Sequence, residues 1–306
     1  MLLNEALKEI LACPKCRGHL EKSTAGLACV NCRAEYLIKN GILCFFEVGE
    51  GDRQADERAV RETYMSRFEQ EEARAIIRNV SLHHCLSVMG DRARQFRKAF
   101  SRDEWILDLG SGSGWCWSGT NGGALVLLDF SLASLKAAQR LLRPEDRALL
   151  VWADARRLPV RDRVIAGVWS VQVFQHFPAD VFDAVKAELN RVLSSSFVME
   201  IYNLNPSWLH DKIYRLLGKT FHRRGRLGEM ELNRLNFVEL TESWKGFRRA
   251  TRMTGGYSEL FFHPDLRFRP WFYPAKFERL LAAWFPGVAS LFARQLHIRV
   301  EGGNQE

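Results

Sequence analysis

The stretch Ile106-Leu-Asp-Leu-Gly-Ser-Gly-Ser-Gly114 constrains the fold more than any other part of the chain. An apolar run that breaks into closely spaced glycines reads as a buried strand turning sharply beneath a bound group. Glycine takes a positive φ without steric cost and lets the backbone approach a ligand closely. Beyond it, short apolar runs alternate with helical patterns. Strands are expected over residues 105–109, 124–129, 149–152, 164–171 and 197–201, and helices over 132–142 and 179–192. That alternation marks βαβ units, and hence a doubly wound α/β sheet covered on both faces.

The glycine spacing narrows the ligand. Gly110, Gly112 and Gly114 form Gly-x-Gly-x-Gly, not the Gly-x-Gly-x-x-Gly of the dinucleotide fingerprint, and Asp108 precedes the first glycine by two. Asp129 ends the second strand 19 residues after Gly110, where a carboxylate is needed to accept bonds from two ribose hydroxyls. This arrangement resembles motif I and its following acid in the class I S-adenosylmethionine (SAM)-dependent methyltransferases. Ala153-Asp-Ala-Arg-Arg-Leu-Pro159 and Val168-Trp-Ser-Val-Gln-Val-Phe-Gln-His-Phe177 are similar to segments common among ubiquinone- and menaquinone-type methyltransferases. The resemblance implies a Rossmann-like SAM methyltransferase sheet. It also implies a SAM site made of Asp108, Gly110, Ser111, Gly112, Gly114, Asp129, Phe130, Asp154, Ala155 and Val171, in which Asp154 receives the adenine amino group. Two positions depart from the family pattern. Ile165-Ala166 replaces its usual Phe-Asp, and Ser194-Ser195-Ser196 follows Leu193 where it usually has Pro-Gly-Gly, which puts local loop geometry in question.

Methyl transfer is an in-line displacement at an activated carbon, so the protein chiefly supplies alignment. A hydroxyl acceptor also gains from a base that titrates near neutrality. His176, just after the fourth strand, is the candidate catalytic base; the competing reading is that it packs the loop. No Asn/Asp-Pro-Pro-Tyr of the amine-methylating enzymes ends the fourth strand, and no cysteine nucleophile follows the fourth or fifth.

Cys13-Pro-Lys-Cys16 and Cys29-Val-Asn-Cys32 give C-x2-C-x12-C-x2-C. Two knuckles at this spacing bring four thiolates into a tetrahedral site suited to structural zinc. A segment this small buries too little core to stand without such a staple. The surrounding residues of about 6–46 resemble the small zinc-ribbon family whose eukaryotic member activates RNA and protein methyltransferases. That implies a platform stabilising its partner domain, with no chemistry of its own. Seven cysteines, an odd number, and an N-terminus read as a short amphipathic helix over residues 1–11 point to a reducing, cytoplasmic setting.

Three parts are therefore expected: a zinc ribbon at 1–48, a linker and helical extension at 49–100, and the methyltransferase domain at 101–306. No apolar run is long enough for a transmembrane segment. The net charge is +8, and a substrate-side insertion at about 203–273 holds 13 Lys and Arg against seven Asp and Glu. Its aromatics and arginines suit O-methylation of a small-molecule acceptor (a sugar, quinone-like ring, carboxylate or lipid headgroup), with Tyr202, Asn203, Tyr257, His263 and Trp271 as acceptor-side candidates. RNA is the alternative partner, a SAM-binding protein without turnover is a third reading, and the segment 206–219 has the spacing of a helix suited to peripheral membrane contact. Oligomeric state is not legible.

Overall fold

The computed structural model describes residues 2–46, 80–218, 235–247, 250–260 and 275–303. The expected extension helix over 53–79, His263 and Trp271 lie outside the described residues. The chain opens with helix α1 (Leu2–Glu9) and four short strands: β1 (Leu20–Lys22), β2 (Gly26–Cys29), β3 (Glu35–Lys39) and β4 (Ile42–Cys44). Helix α2 (Val80–Lys98) leads into β5 (Trp105–Leu109), β6 (Ala124–Asp129), α3 (Leu132–Leu141), β7 (Ala148–Trp152), β8 (Ile165–Val171), α4 (Ala179–Val192) and β9 (Leu193–Leu204). Then follow α5 (Leu209–Leu216), α6 (Phe237–Trp244), β10 (Ala250–Ser258), α7 (Ala275–Trp284), α8 (Pro286–Phe292) and β11 (Gln295–Gly302).

Among the described residues, eleven strands form one sheet in the order β1-β2-β3-β4-β7-β6-β5-β8-β9-β11-β10. Strands β7, β6, β5, β8 and β9 run parallel, and β11 and β10 close the far edge antiparallel. The chain leaves β5 in one direction through β6 and β7 and resumes on its other side with β8. This reversal opens a crevice at the carboxyl ends of β5 and β8, where open α/β sheets take their ligands. Every residue of β5 and β6 is buried, as expected of strands covered on both faces. Helix α4 buries Phe182, Val185, Leu189 and Val192, the single face that a 3.6-residue period presents.

The ribbon is built into this sheet. Strand β4 pairs parallel with β7, Ile42 against Leu150 and Cys44 against Trp152, and the Phe45 N–H extends the ladder to the Trp152 carbonyl at 2.9 Å. On the other side Arg161 clasps α1, donating from Nε to Leu11 O and from Nη2 to Leu7 O, both at 3.0 Å. Ribbon side chains Leu7, Ile10, Leu27 and Tyr36 share one core cluster with β5, β6 and α4.

Arg97 of α2 is buried at the opposite face. It donates to Gly123 O (2.9 Å), Thr120 O (3.2 Å), Thr120 Oγ1 (2.7 Å) and Asp146 O, so it ties α2 to the loops that lead into β6 and β7. Burial pulls its pKa down only to about 10, which leaves it charged at neutral pH. Two expectations are corrected. Strand β9 begins at Leu193, directly after α4, because Ser194–Ser196 extend the strand instead of turning. The apolar run at 291–300 has the pattern expected of one strand, but Pro286 starts a helix that holds Leu291, and the strand begins at Gln295.

Candidate active site and metal centre

The glycine turn hangs from the end of β5. Gly110, Gly112 and Gly114 have φ of 70°, 54° and 60°, left-handed values that disfavour any side chain. A Cβ on Gly110 would lie 2.3 Å from Val173 Cγ2, and one on Gly114 2.9 Å from Leu127 Cδ1, so both are pressed against neighbouring elements. Gly112 has nothing within 4 Å of such a Cβ and faces open space. Beside it the Ser111 hydroxyl is buried without a hydrogen-bond partner. An open glycine next to an unanswered buried hydroxyl is a cradle that fits a polar ligand laid on the backbone.

Asp129 ends β6 and grips this turn. Its Oδ2 accepts from Gly112 N and its Oδ1 from Ser131 N, each at 2.8 Å. Phe130 follows, its carbonyl accepting from Trp152 Nε1 at 2.9 Å and its ring edge-on to Phe46, the described residue that ends the ribbon segment. Asp154 comes after β7, near Ala155, and is engaged by Arg156. Arg156 N donates to Asp154 Oδ1 at 2.8 Å and Arg156 Nη2 to Oδ2 at 2.6 Å. Sequence reasoning missed that pairing: the adjacent arginines at 156 and 157 put cations near Asp154, but spacing does not say which side chain turns back onto it. Asp108 sits below the turn and not in the cradle. It is 3% exposed and accepts from Trp117 Nε1 at 2.6 Å. Burial pushes its pKa up to about 7 despite that bond, with Asp129 adding to the rise. Cys116 in the same segment is a poor thiolate, since burial and then Asp108 hold its pKa well up.

Val171 ends β8, and the chain then makes a single 3-10 turn, Phe174–His176, against the glycine turn through Val173. Gln175 Oε1 accepts from Leu204 N at 2.8 Å, which fixes the amide and directs its Nε2 at His176 Nε2, 3.4 Å away. The acceptor-side candidates divide across the sheet. Tyr202 is buried, donating to Glu200 Oε2 at 2.7 Å and stacked on His297, and burial raises its pKa well beyond the phenol range. Asn203 points to the opposite face, its Oδ1 buried without a partner, and half-buried Tyr257 packs on Phe237.

The four ribbon cysteines come together. Their sulfurs all lie within 4.8 Å of one another, with Cys13–Cys32 at 3.6 Å and Cys16–Cys29 at 3.4 Å. A zinc ion with bonds of about 2.3 Å asks for sulfurs about 3.8 Å apart, so the set fits a tetrahedral thiolate site. The two knuckles repeat one design. Arg17 N donates to Cys13 O and Arg33 N to Cys29 O, each arginine at a φ near 60°. Four protein ligands leave no open position, which makes the centre structural.

Residues 106–196 match the family model of a methyltransferase domain, and residues 4–41 that of Trm112p-like protein. No curated protein matches the sequence. Among solved structures, the fold is similar to a chain of the complex between the Haloferax volcanii Trm112 methyltransferase activator and a methyltransferase. That likeness has a TM-score of 0.51 and 17% identity, covering 81% of this chain and 98% of that one. It is also similar to a SAM-dependent methyltransferase from Thermotoga maritima, with a TM-score of 0.53, 16% identity and coverage of 78% and 98%. A third is the plantazolicin methyltransferase BamL, with a TM-score of 0.51, 16% identity and coverage of 82% and 98%. The glycine turn on this sheet and the matched domain define a SAM-dependent methyltransferase. Its particular form is a single chain in which a Trm112p-like zinc ribbon precedes the methyltransferase domain and extends its sheet.

Proposed function

We propose that this methyltransferase acts on a hydroxyl oxygen of a small-molecule acceptor, with His176 as general base. The observation that carries the reading is the Gln175–His176 pair. Because Leu204 N–H occupies Gln175 Oε1, the amide faces His176 with its N–H, a contact that at 3.4 Å is long enough for an acceptor hydroxyl to displace at the Nε2 lone pair. That nitrogen stands in a turn that touches the glycine turn through Val173, at the carboxyl edge of the sheet. Gly110, Ser111, Gly112, Gly114, Asp129, Phe130, Asp154, Ala155 and Val171 would hold SAM, with Asp108 supporting the turn from below. Bound SAM supplies a methyl group activated on a sulfonium sulfur. His176 Nε2 would receive the acceptor's hydroxyl proton as the oxygen forms its bond to that methyl and the sulfur–methyl bond breaks to leave a neutral thioether, and would later yield the proton to water. Asn203, with its unanswered Oδ1, is the proposed anchor for an acceptor donor group.

The test is transfer of labelled methyl from SAM into a bacterial extract separated into RNA, protein, lipid and small-molecule fractions. The reading expects label in the small-molecule or lipid fraction. It expects His176→Ala to lower transfer about a hundredfold or more with SAM affinity kept. Label in RNA that ribonuclease removes would overturn the acceptor assignment, and full activity in His176→Ala would remove the base.

A further inference from the structure

Three helices at one end of the sheet expose an apolar surface that no other element among the described residues covers. Of the thirteen large apolar side chains exposed among the described residues, ten lie on α5, α7 and α8 or on residues flanking them. On α7, Phe277, Leu280 and Trp284 follow helical spacing along the outer face, with Trp284 76% exposed. Helix α8 continues the surface with Val288 and Leu291, and α5 adds Leu216, 87% exposed, and Leu217. Helix α8 touches both α5 and α7.

The outer face is not a misplaced inner one. Leu281, Ala282, Ala289 and Ala293 already fill the inner side against Tyr257 and Leu260. Polar ties fix the orientation. Glu278 accepts from Glu259 N and Leu260 N at 3.0 Å, and Asn205 Nδ2 donates to Ser290 O at 2.6 Å and Ala293 O at 2.8 Å. The helices are therefore apolar on both sides, a pattern that calls for a second covering surface.

Charge identifies that surface. The exposed ionisable residues of these helices are Lys212, Arg215, Lys276 and Arg279, all cationic; of the acids, Glu278 is buried and Asp211 is buried in an ion pair with Arg215 at 2.8 Å, so the rim keeps a positive excess. A second copy would set cations against cations across a self-complementary contact. Four of the ten exposed side chains are aromatic and can stack on bases, but the other six are Ile, Leu and Val, an aliphatic area that a base-stacking platform for single-stranded nucleic acid does not use. Apolar side chains, an exposed tryptophan and a purely basic rim are what an anionic lipid surface binds. No helix among the described residues is long and apolar enough to cross a membrane, so the helices would lie on the bilayer.

We propose that α5, α7 and α8 dock this protein on the headgroup region of an anionic bilayer. Helix α5 follows the carboxyl end of β9, and α8 leads into β11 opposite it, where Gln295 pairs with Leu204. Docking therefore turns the edge that carries the glycine turn towards the lipid. The docking rests on these helices alone, so a failure of the small-molecule reading leaves it standing, and the converse holds.

The test is co-sedimentation of the full chain with phosphatidylcholine vesicles, with and without phosphatidylserine. The protein should pellet only with the serine-containing vesicles and be released by high salt. Each lysine near an anionic leaflet contributes roughly a fivefold factor, so Lys212→Gln with Lys276→Gln should lower partition by about 30-fold. Trp284→Asp with Leu280→Asp should abolish it while the circular dichroism spectrum stays unchanged. No binding to serine-containing vesicles overturns the proposal, as does binding that the aspartates leave intact. A dimer in sedimentation equilibrium that Trp284→Asp dissociates would assign the face to a second copy and equally overturn it.

Discussion

Asp108→Asn tests whether the carboxyl below the glycine turn is as costly to ionise as its surroundings require. The group is buried among apolar strands, and burial lifts its pKa from 3.8 to about 7 against the opposing Trp117 bond. The sign follows from linkage. Below 3.8 both folded and unfolded chains hold the proton, and the stabilising contribution is full. Between 3.8 and about 7 the unfolded chain gives up the proton and the folded one keeps it, so stability falls as pH rises and levels off above about 7. A shift of that size corresponds to about 4 kcal/mol over the whole range, of which about 2 kcal/mol falls between about pH 5.5 and about pH 8. Asparagine keeps an oxygen for Trp117 Nε1 and carries no charge. The variant should therefore gain about 2 kcal/mol on the native protein between those two pH values, as read by urea denaturation at each. A difference between the two proteins that does not change with pH would refute the reasoning, because it would mean that Asp108 titrates alike in the folded and unfolded chains.

Atomic absorption should find one zinc per chain, and Cys29→Ala should lose it; a metal-free chain as stable in chelator as without it would end the ribbon account. Removing zinc should also promote aggregation, because loosening β4 uncovers the edge of β7. Gly110→Ala should destabilise the fold by about 2 kcal/mol or more, since the new methyl meets both a left-handed backbone and Val173. Gly112→Ala should cost only about 1 kcal/mol of stability. Its new methyl enters open space, so it should weaken SAM affinity by more than that figure implies, and equal losses in both would contradict the cradle.

The parts of this fold that local pattern determines were legible. Strands β5 and β6, helix α4 and the two cysteine knuckles each announce themselves through burial period, glycine or spacing. The parts set by distant partners were not. Strand β4 is three apolar residues long, and nothing in Ile42-Leu-Cys44 says that it pairs with β7 across a hundred residues. The fifth strand is expected only from 197, because Ser194–Ser196 stand where the family pattern has Pro-Gly-Gly, yet Leu193 already pairs with Ile165 of β8 and the serines span the register shift that follows within β9. At the site, the acids could be found from sequence, but their partners could not. Trp117 on Asp108 and Arg156 on Asp154 depend on side-chain direction after a turn, which spacing alone does not carry. Gln175 was invisible for the same reason: its role comes from the Leu204 N–H, 29 residues away.

The central claim, that the glycine turn and Asp129 hold SAM, is tested most directly by calorimetric titration of SAM into the native protein and into Asp129→Ala. The account predicts one site per chain. It predicts an affinity loss of about tenfold to a hundredfold in the variant, the share expected when hydrogen bonds to a charged carboxylate are removed. Native protein that takes up no SAM, or an Asp129→Ala variant that binds it as tightly, would contradict the account.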